Sequence, residues 1–120
     1  MAAHNELGRK GERIAAEYLR AKGFRIVETN WHYGHEELDI IAYDGDTLVV
    51  VEVKTRHTDM FGNPEDAVTL RKQRSIVRAA DAYVVEHDLD VQTRFDVVSV
   101  VVGRGQTAIE HFEDAFYPIG

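Results

Sequence analysis

Two apolar runs joined by a short polar turn form the clearest pattern along the chain. The first run covers residues 36–43 and the second covers residues 47–54, with Asp44, Gly45 and Asp46 between them. β-Branched residues on both sides of an Asp-Gly turn are typical of a β-hairpin. The pattern therefore predicts two antiparallel strands.

Three charged residues interrupt these runs: Asp39 in the first strand, and Glu52 and Lys54 in the second. Burying a carboxylate is costly unless it is paired or bound to a metal ion. Two interpretations stay open from the hairpin alone. The acids and the lysine form a cation-binding site, or Lys54 forms an ion pair with Asp39 or Glu52 on a solvated face of the sheet.

The register of the hairpin decides whether the two acids meet. If Tyr43 pairs with Leu48, Asp39 lies directly across from Glu52. If Tyr43 pairs with Asp46 instead, Glu52 is the diagonal neighbour of Asp39. A slip by one residue would place the two acids on opposite faces of the sheet and would exclude a shared site.

The remaining pattern predicts helices around further strands. Helical spacing of apolar residues runs to about Lys22, after a cap at Asn5 and before Gly23. The other predicted elements are a strand over 24–29, a loop over 30–35, a loop over 55–64, a helix over 64–87, a strand over 93–102 and a segment over 108–112 that pairs back with it. Helices alternating with strands predict an α/β fold.

Length and composition limit the kind of protein. A chain of 120 residues with 44% hydrophobic and 29% charged residues predicts one globular domain over 1–120. The absence of cysteine excludes disulfides and thiolate chemistry, and it agrees with a reducing compartment. The chain shows neither a signal peptide nor an apolar run of membrane-spanning length, so we expect a cytoplasmic protein with no membrane partner.

The charge distribution leaves the class of partner open. A net charge of −7 argues against nucleic acid as a partner. Residues 69–78, however, carry four cations and no acid, whereas acids concentrate in residues 86–96 and 110–114. The sequence is compatible with a basic functional face opposite an acidic face. It is equally compatible with a uniformly acidic surface.

Several short motifs together resemble the YraN-like family of bacterial proteins. That family is related to Holliday junction resolvases within the PD-(D/E)XK, or restriction-endonuclease-like, superfamily. The motifs cover nearly the whole chain and lie at residues 8–12, 16–19, 23–24, 37–42, 51–56, 61–62, 72–73, 94–98 and 115–116.

The resemblance implies a fold and an activity. The implied fold is a restriction-endonuclease-like mixed central sheet flanked by helices. The implied activity is metal-dependent endonucleolytic cleavage of DNA, including branched or structured DNA. Glu12, Asp39, Glu52 and Lys54 match the catalytic pattern. Asp39 and Glu52 would be the metal ligands, and their oxygens favour Mg²⁺ or Mn²⁺ over zinc.

We expect DNA contacts from four further residues. Lys72 and Gln73 match the polar pair on the helix that follows the Glu-x-Lys strand in the family. Arg56 and Arg71 are expected beside the acidic site, since cleavage needs a phosphate held there. A homodimer is a further expectation. The alternatives are a catalytically weak nucleic-acid-binding module with the same fold and a protein-interaction module, the second favoured by the net acidity.

Overall fold

A computed structural model describes residues 5–58 and 68–117 of the chain. Two helices and five strands follow one another in the order α1 (Glu6–Ala21), β1 (Arg25–Tyr33), β2 (Glu36–Asp44), β3 (Thr47–His57), α2 (Leu70–Glu86), β4 (Thr93–Val102) and β5 (Thr107–Phe116). The strands form one sheet in the order β1-β2-β3-β4-β5. Only the β3–β4 pair of this sheet is parallel, and α2 lies in the connection between those strands.

Each face of the sheet is covered by one helix. Alternating valines of β3 divide between the faces, so that Val49 and Val51 pack with Leu19 of α1, whereas Val50 packs with Ile76 of α2. Burial on both faces explains the nearly continuous apolar run of β3. The expected α/β class is confirmed: a mixed sheet with flanking helices, compatible with a restriction-endonuclease-like fold.

Helix α1 begins and ends where the sequence predicts. The side chain of Asn5 accepts a hydrogen bond of 2.7 Å from the backbone N–H of Gly8, which satisfies an otherwise unpaired donor of the first turn. Lys22 closes the helix, and Gly23 follows with φ of +97°, a conformation that favours glycine. Neither helix of the described residues is long and apolar enough to cross a membrane.

The central hairpin has one of the two registers that bring the acids together. Tyr43 pairs with Leu48, and Asp44 pairs with Thr47. The turn therefore has two residues and starts at Gly45, whose φ is +63°. The slipped register that would separate the acids is excluded.

The predicted loop over 30–35 is wrong. Strand β1 continues to Tyr33 and pairs with β2 as far as Glu36, and the turn is confined to Gly34 and its neighbour. Asn30 adopts a positive φ of 52° within the strand. This residue interrupts the regular alternation of side chains, so the sequence pattern did not show the strand.

The ends of two further elements also differ from the prediction. Residues 55–57, predicted as loop, belong to β3, because their parallel partner β4 pairs with them as far as Val102. Helix α2 begins at Leu70 with Thr69 as its cap. Residues 68–69 therefore lie outside the helix, contrary to the predicted helix over 64–87. The predicted helix and loop residues over 59–67 lie outside the described part of the chain. The segment predicted to pair back with β4 does so, as β5.

Candidate metal and nucleic-acid site

Asp39 lies where the paired part of β2 and β3 ends. The last regular pair of the two strands is Ile40 with Val51. Beyond this pair, the Asp39 carboxylate accepts a hydrogen bond of 2.9 Å from the backbone N–H of Val53. A side chain therefore takes the place of a backbone acceptor, and it fixes the half-buried Asp39 carboxylate against β3.

Glu52 meets Asp39 from the neighbouring strand. The Glu52 side chain lies on the α2 side of β3 and is only 6% exposed. The negative charge of Glu52 acts directly on the carboxyl group of Asp39. Lys72 of α2 lies on the other side of Glu52, with 3.6 Å between its Nζ and Glu52 Oε2.

The pKa values of both acids are raised. Burial, followed by the negative charge of Glu52, raises the pKa of Asp39 well above its ordinary value of 3.8. Burial also raises the pKa of Glu52, although the charges of Lys72 and Lys54 act in the opposite direction. Two carboxyl groups thus share a site that opposes the ionisation of both.

Glu12 of α1 approaches the pair from the other side of the sheet. Asn30 donates a hydrogen bond of 3.0 Å from its side chain to Glu12 Oε1. Asn30 itself lies opposite Asp39 in the register of β1 and β2. The charge of Glu12 contributes to the raised pKa of Asp39, so the three acids form one electrostatic cluster.

Lys54 follows Glu52 by two residues on β3 and is half-buried. Within the described residues, the ion pair of Glu52 is with Lys72, and Lys54 forms no ion pair with Asp39 or Glu52. The structure therefore does not support the alternative in which Lys54 pairs with one of the acids. Lys54 still acts on Glu52 through its charge, because it lowers the pKa of that acid.

The donor set suits only some metal ions. Within residues 5–58 and 68–117, no group of three histidine, aspartate or glutamate side chains is arranged to hold a metal. The Asp39–Glu52 pair supplies two carboxylates. Mg²⁺ often binds through one or two carboxylates and keeps several waters, so the pair fits Mg²⁺ and the similar Mn²⁺. A closed structural zinc site, by contrast, needs four ligands.

The four residues expected to bind DNA occupy different environments. Lys72 is at the acidic pair, and Arg71 beside it on α2 is exposed. Arg56 lies on β3 just beyond Lys54 and is half-buried. The amide of Gln73 donates a hydrogen bond of 3.1 Å to the backbone carbonyl of Val68, so this side chain is engaged at the start of α2.

Glu36 is neutralised by a neighbour on α2. Arg78 approaches Glu36 Oε1 to 2.6 Å. A groove between this ion pair and Lys72 is lined by Glu37, Ser75 and residues beside them. The pairing reduces the repulsion between Glu36 and an anion in the groove, and it also means that Arg78 is not a free cation.

A second charged cluster, around Asp96, was not identified from the sequence. Asp96 is completely buried and accepts two hydrogen bonds of 2.9 Å from Arg94 and one of 3.0 Å from the backbone of Asp114. His111 lies 2.8 Å from the same carboxylate. Burial alone would raise the pKa of Asp96, but the hydrogen bonds with His111, Arg94 and Asp114 lower it. The only sign of this cluster in the β4 sequence was a single acid, Asp96, within an apolar run.

Comparison with known proteins identifies the family. The model of the uncharacterised protein family UPF0102 matches residues 11–100. The chain belongs to this family. It is 50% identical to the UPF0102 protein of Christiangramia forsetii over 117 residues, 98% of each chain. It is also 50% identical to the UPF0102 protein of Phocaeicola vulgatus over 118 residues, again 98% of each chain. The family resemblance seen in the sequence is thereby confirmed, and the relationship to resolvases stays a prediction.

Proposed function

We propose that this UPF0102 protein is a metal-dependent endonuclease that hydrolyses phosphodiester bonds of DNA at the Asp39–Glu52 pair. The observation that carries the proposal is the meeting of two carboxyl groups with raised pKa values at the end of a strand pair, with lysines beside them. The resemblance of Glu12, Asp39, Glu52 and Lys54 to the PD-(D/E)XK pattern supports the same conclusion.

The electrostatics of the pair favour a divalent cation as its partner. Two adjacent carboxylates that have lost most of their hydration repel each other, and one of them must keep a proton unless positive charge is supplied. Lys72 contacts Glu52 but not Asp39 within the described residues. A divalent cation between the two acids would neutralise both and make that proton unnecessary.

Each residue of the site has a proposed role. Asp39 and Glu52 would hold Mg²⁺ or Mn²⁺, which when bound polarises the scissile phosphate and its attacking water. Lys54 would stabilise the negative charge that builds on the phosphate oxygens. Glu12, positioned by Asn30, would orient water on the Asp39 side of the site.

The proposed substrate is DNA, including branched or structured forms. Lys72, Arg56 and Arg71 would hold phosphates beside the acidic pair, which positions the strand without reading its sequence. Gln73 can contribute only if its amide leaves the carbonyl of Val68. Lys72 would exchange its contact with Glu52 for a phosphate when the cation is bound.

A nuclease assay tests the proposal. The wild type is incubated with Mg²⁺ or Mn²⁺ and with single-stranded, duplex, flap and four-way DNA, beside Glu52→Ala and the exposed control Glu110→Ala. We expect metal-dependent cleavage by the wild type and the control. Cleavage by Glu52→Ala should fall at least about 100-fold, since loss of even an outer partner of a metal site costs about 10- to 100-fold.

Two results would contradict the proposal. Cleavage that persists in Glu52→Ala would place the reaction elsewhere or attribute it to a contaminant. Binding of DNA by the wild type without cleavage of any substrate would identify the protein as a binding module with the same fold.

A further inference from the structure

A groove between α1 and β1 carries a group of cations that is separate from those on α2. The groove encloses about 400 Å³ and is lined by Arg9, Arg13 and Arg20 on one wall. Ala16, which is nearly buried, forms part of its floor, and Asn30 lies at its β1 wall. All three arginines are exposed.

The three arginines form a single row. They are separated by four and then seven residues, and both separations return to nearly the same side of a helix. Eleven residues of helix extend about 16 Å. One strand of a duplex has one phosphate per about 3.4 Å of the duplex axis, so a row parallel to that axis would span the axial length of about five phosphates.

Within residues 5–58 and 68–117, no ion pair or side-chain hydrogen bond engages Arg9, Arg13 or Arg20. Arg78 and Arg94, in contrast, are paired with acids. In a protein with a net charge of −7, acids are available to pair with every arginine. Three guanidinium groups that have no ion-pair partner among the described residues therefore lie in one row, where they can attract an external anion.

The groove shares Glu12 with the acidic cluster, since the charge of Glu12 acts on Asp39. Glu12 and Asn30 both line the groove, and Asn30 lies opposite Asp39 in the sheet. Two carboxylates, those of Glu12 and Glu17, also line it and oppose an anion. Asn30 holds one oxygen of Glu12, whereas Glu17 is exposed. Three cations against two acids leave the groove positive.

We propose that this groove binds the phosphate backbone of the DNA strand that enters the Asp39–Glu52 site. The choice of DNA rests on the proposed function. Arginine suits this task because its planar guanidinium group can donate two hydrogen bonds to one phosphate. The groove lies on the α1 side of the sheet and Lys72 lies on the α2 side. DNA would thus contact the protein on both sides of the acidic site.

Binding measurements without metal test the groove separately from the reaction. The parent is Glu52→Gln, and its affinity for a short labelled duplex and the matching single strand is measured by fluorescence anisotropy over a range of salt concentrations. The test variant adds Arg9→Gln and Arg13→Gln. The matched control adds Lys10→Gln and Arg104→Gln, which remove the same charge at exposed positions outside the groove.

The groove variant should bind duplex DNA on the order of tenfold or more weakly at low salt. Its slope of log affinity against log salt should flatten by about 2, because each phosphate contact contributes about 0.9. The control should keep the slope of the parent. Equal weakening of both variants would show that only net charge matters and would overturn the proposal. Absence of DNA binding by the parent would also overturn it.

A cross-linking experiment supplies a second readout. Since the chain contains no cysteine, Arg13→Cys and Arg104→Cys each introduce a single site for a photoactivated cross-linker. We expect cross-links to DNA from position 13 and not from position 104, and equal yields would contradict the groove. If the wild type does not cleave DNA but these differences appear, the proposed DNA-binding groove is supported and the proposed hydrolysis is refuted. If the wild type cleaves DNA and the differences are absent, only the proposed DNA-binding groove is refuted.

Discussion

At the scale of single residues, the buried Asp96 and the half-buried Asp39 show opposite electrostatic behaviour. Asp96 is surrounded by donors, and their hydrogen bonds lower its pKa below the ordinary value of 3.8. Asp39 has one backbone donor and two acidic neighbours, and its pKa is raised. The first arrangement stabilises a fold, since the charge is fully compensated. The second lacks compensation and is the one expected of a cation site.

Replacement of Asp39 by asparagine separates a metal site from a structural carboxylate. Asparagine keeps an oxygen that can accept the hydrogen bond from Val53 and removes the repulsion of Glu52. We expect Asp39→Asn without metal to be at least as stable as the wild type. Mn²⁺ should stabilise the wild type by mass action, by about 2.7 kcal/mol at 100 times its dissociation constant, and should not stabilise the variant.

Thermal melts with and without Mn²⁺ measure both effects. The exposed turn variant Asp46→Asn is the control and should keep the metal response of the wild type. The assignment of Asp39 to a metal site would be contradicted by two results together. These are a destabilised Asp39→Asn variant and a wild-type melting temperature that does not change with Mn²⁺.

The raised pKa of Asp39 also predicts the pH dependence of stability. Between its ordinary value of 3.8 and its raised value, Asp39 keeps its proton in the folded state and loses it in the unfolded state. The metal-free wild type should therefore lose stability as the pH rises through this interval. Urea unfolding at a series of pH values, with Asp39→Asn as the comparison, measures this loss. Parallel profiles for the two proteins would show that Asp39 does not titrate as described.

At the scale of elements, the position of α1 depends on a close contact with β3. A methyl group added at Gly11 would lie 2.7 Å from Thr55 Cβ and still closer to the γ atoms of the same side chain. Only glycine allows this approach. The contact brings Glu12, the next residue, to the edge of the sheet where Asn30 and Asp39 lie.

Substitution of Gly11 should therefore disturb both stability and the site. We expect Gly11→Ala to lower the free energy of unfolding by about 1–3 kcal/mol, the usual cost of overpacking. The matched control is Gly8→Ala, where the added methyl lies 3.2 Å from the Asn5 oxygen that caps the helix, so that this oxygen has to shift by only a small distance. This control also gains helix propensity of up to about 1 kcal/mol, so it should be nearly neutral. Equal effects of the two variants in urea unfolding would mean that the α1–β3 contact is loose.

At the scale of the whole molecule, the described residues include two groups of cations on the helices, despite a net charge of −7. One group lies on α2 around Lys72, and the other lies along α1. The acidic groups of β5, such as Glu110, lie on the other edge of the sheet from β1. Such a distribution can attract a polyanion locally although the protein as a whole repels it.

Charge neutralisation on α2 tests whether this face contacts DNA. We expect Arg71→Gln with Lys72→Gln to weaken binding to all DNA sequences alike and to flatten the salt slope by about 2, because phosphate contacts do not read bases. The Lys10→Gln and Arg104→Gln pair again serves as the control of equal charge. An unchanged salt slope would identify the basic face of α2 as solvated surface.

The sequence by itself determined the features that depend on neighbouring residues. The cap at Asn5, the stop at Gly23 and the Asp-Gly turn act within a few positions, so α1 and the central hairpin could be predicted. Because side chains alternate between the two faces of a strand, the sequence left two hairpin registers in which Asp39 and Glu52 share a face. Local preference can do this because capping and turn formation involve groups that are close along the chain.

Only the tertiary structure decided the features that depend on distant partners. Strand β3 extends to His57 because β4 lies beside it, and Asn30 reaches Glu12 because α1 crosses at that point. The compensated burial of Asp96 depends on a strand that follows it in the chain. The choice of Lys72 rather than Lys54 as the ion-pair partner of Glu52 likewise required α2 to be in place. Burial and strand pairing depend on what the fold brings together, and local patterns do not contain that information.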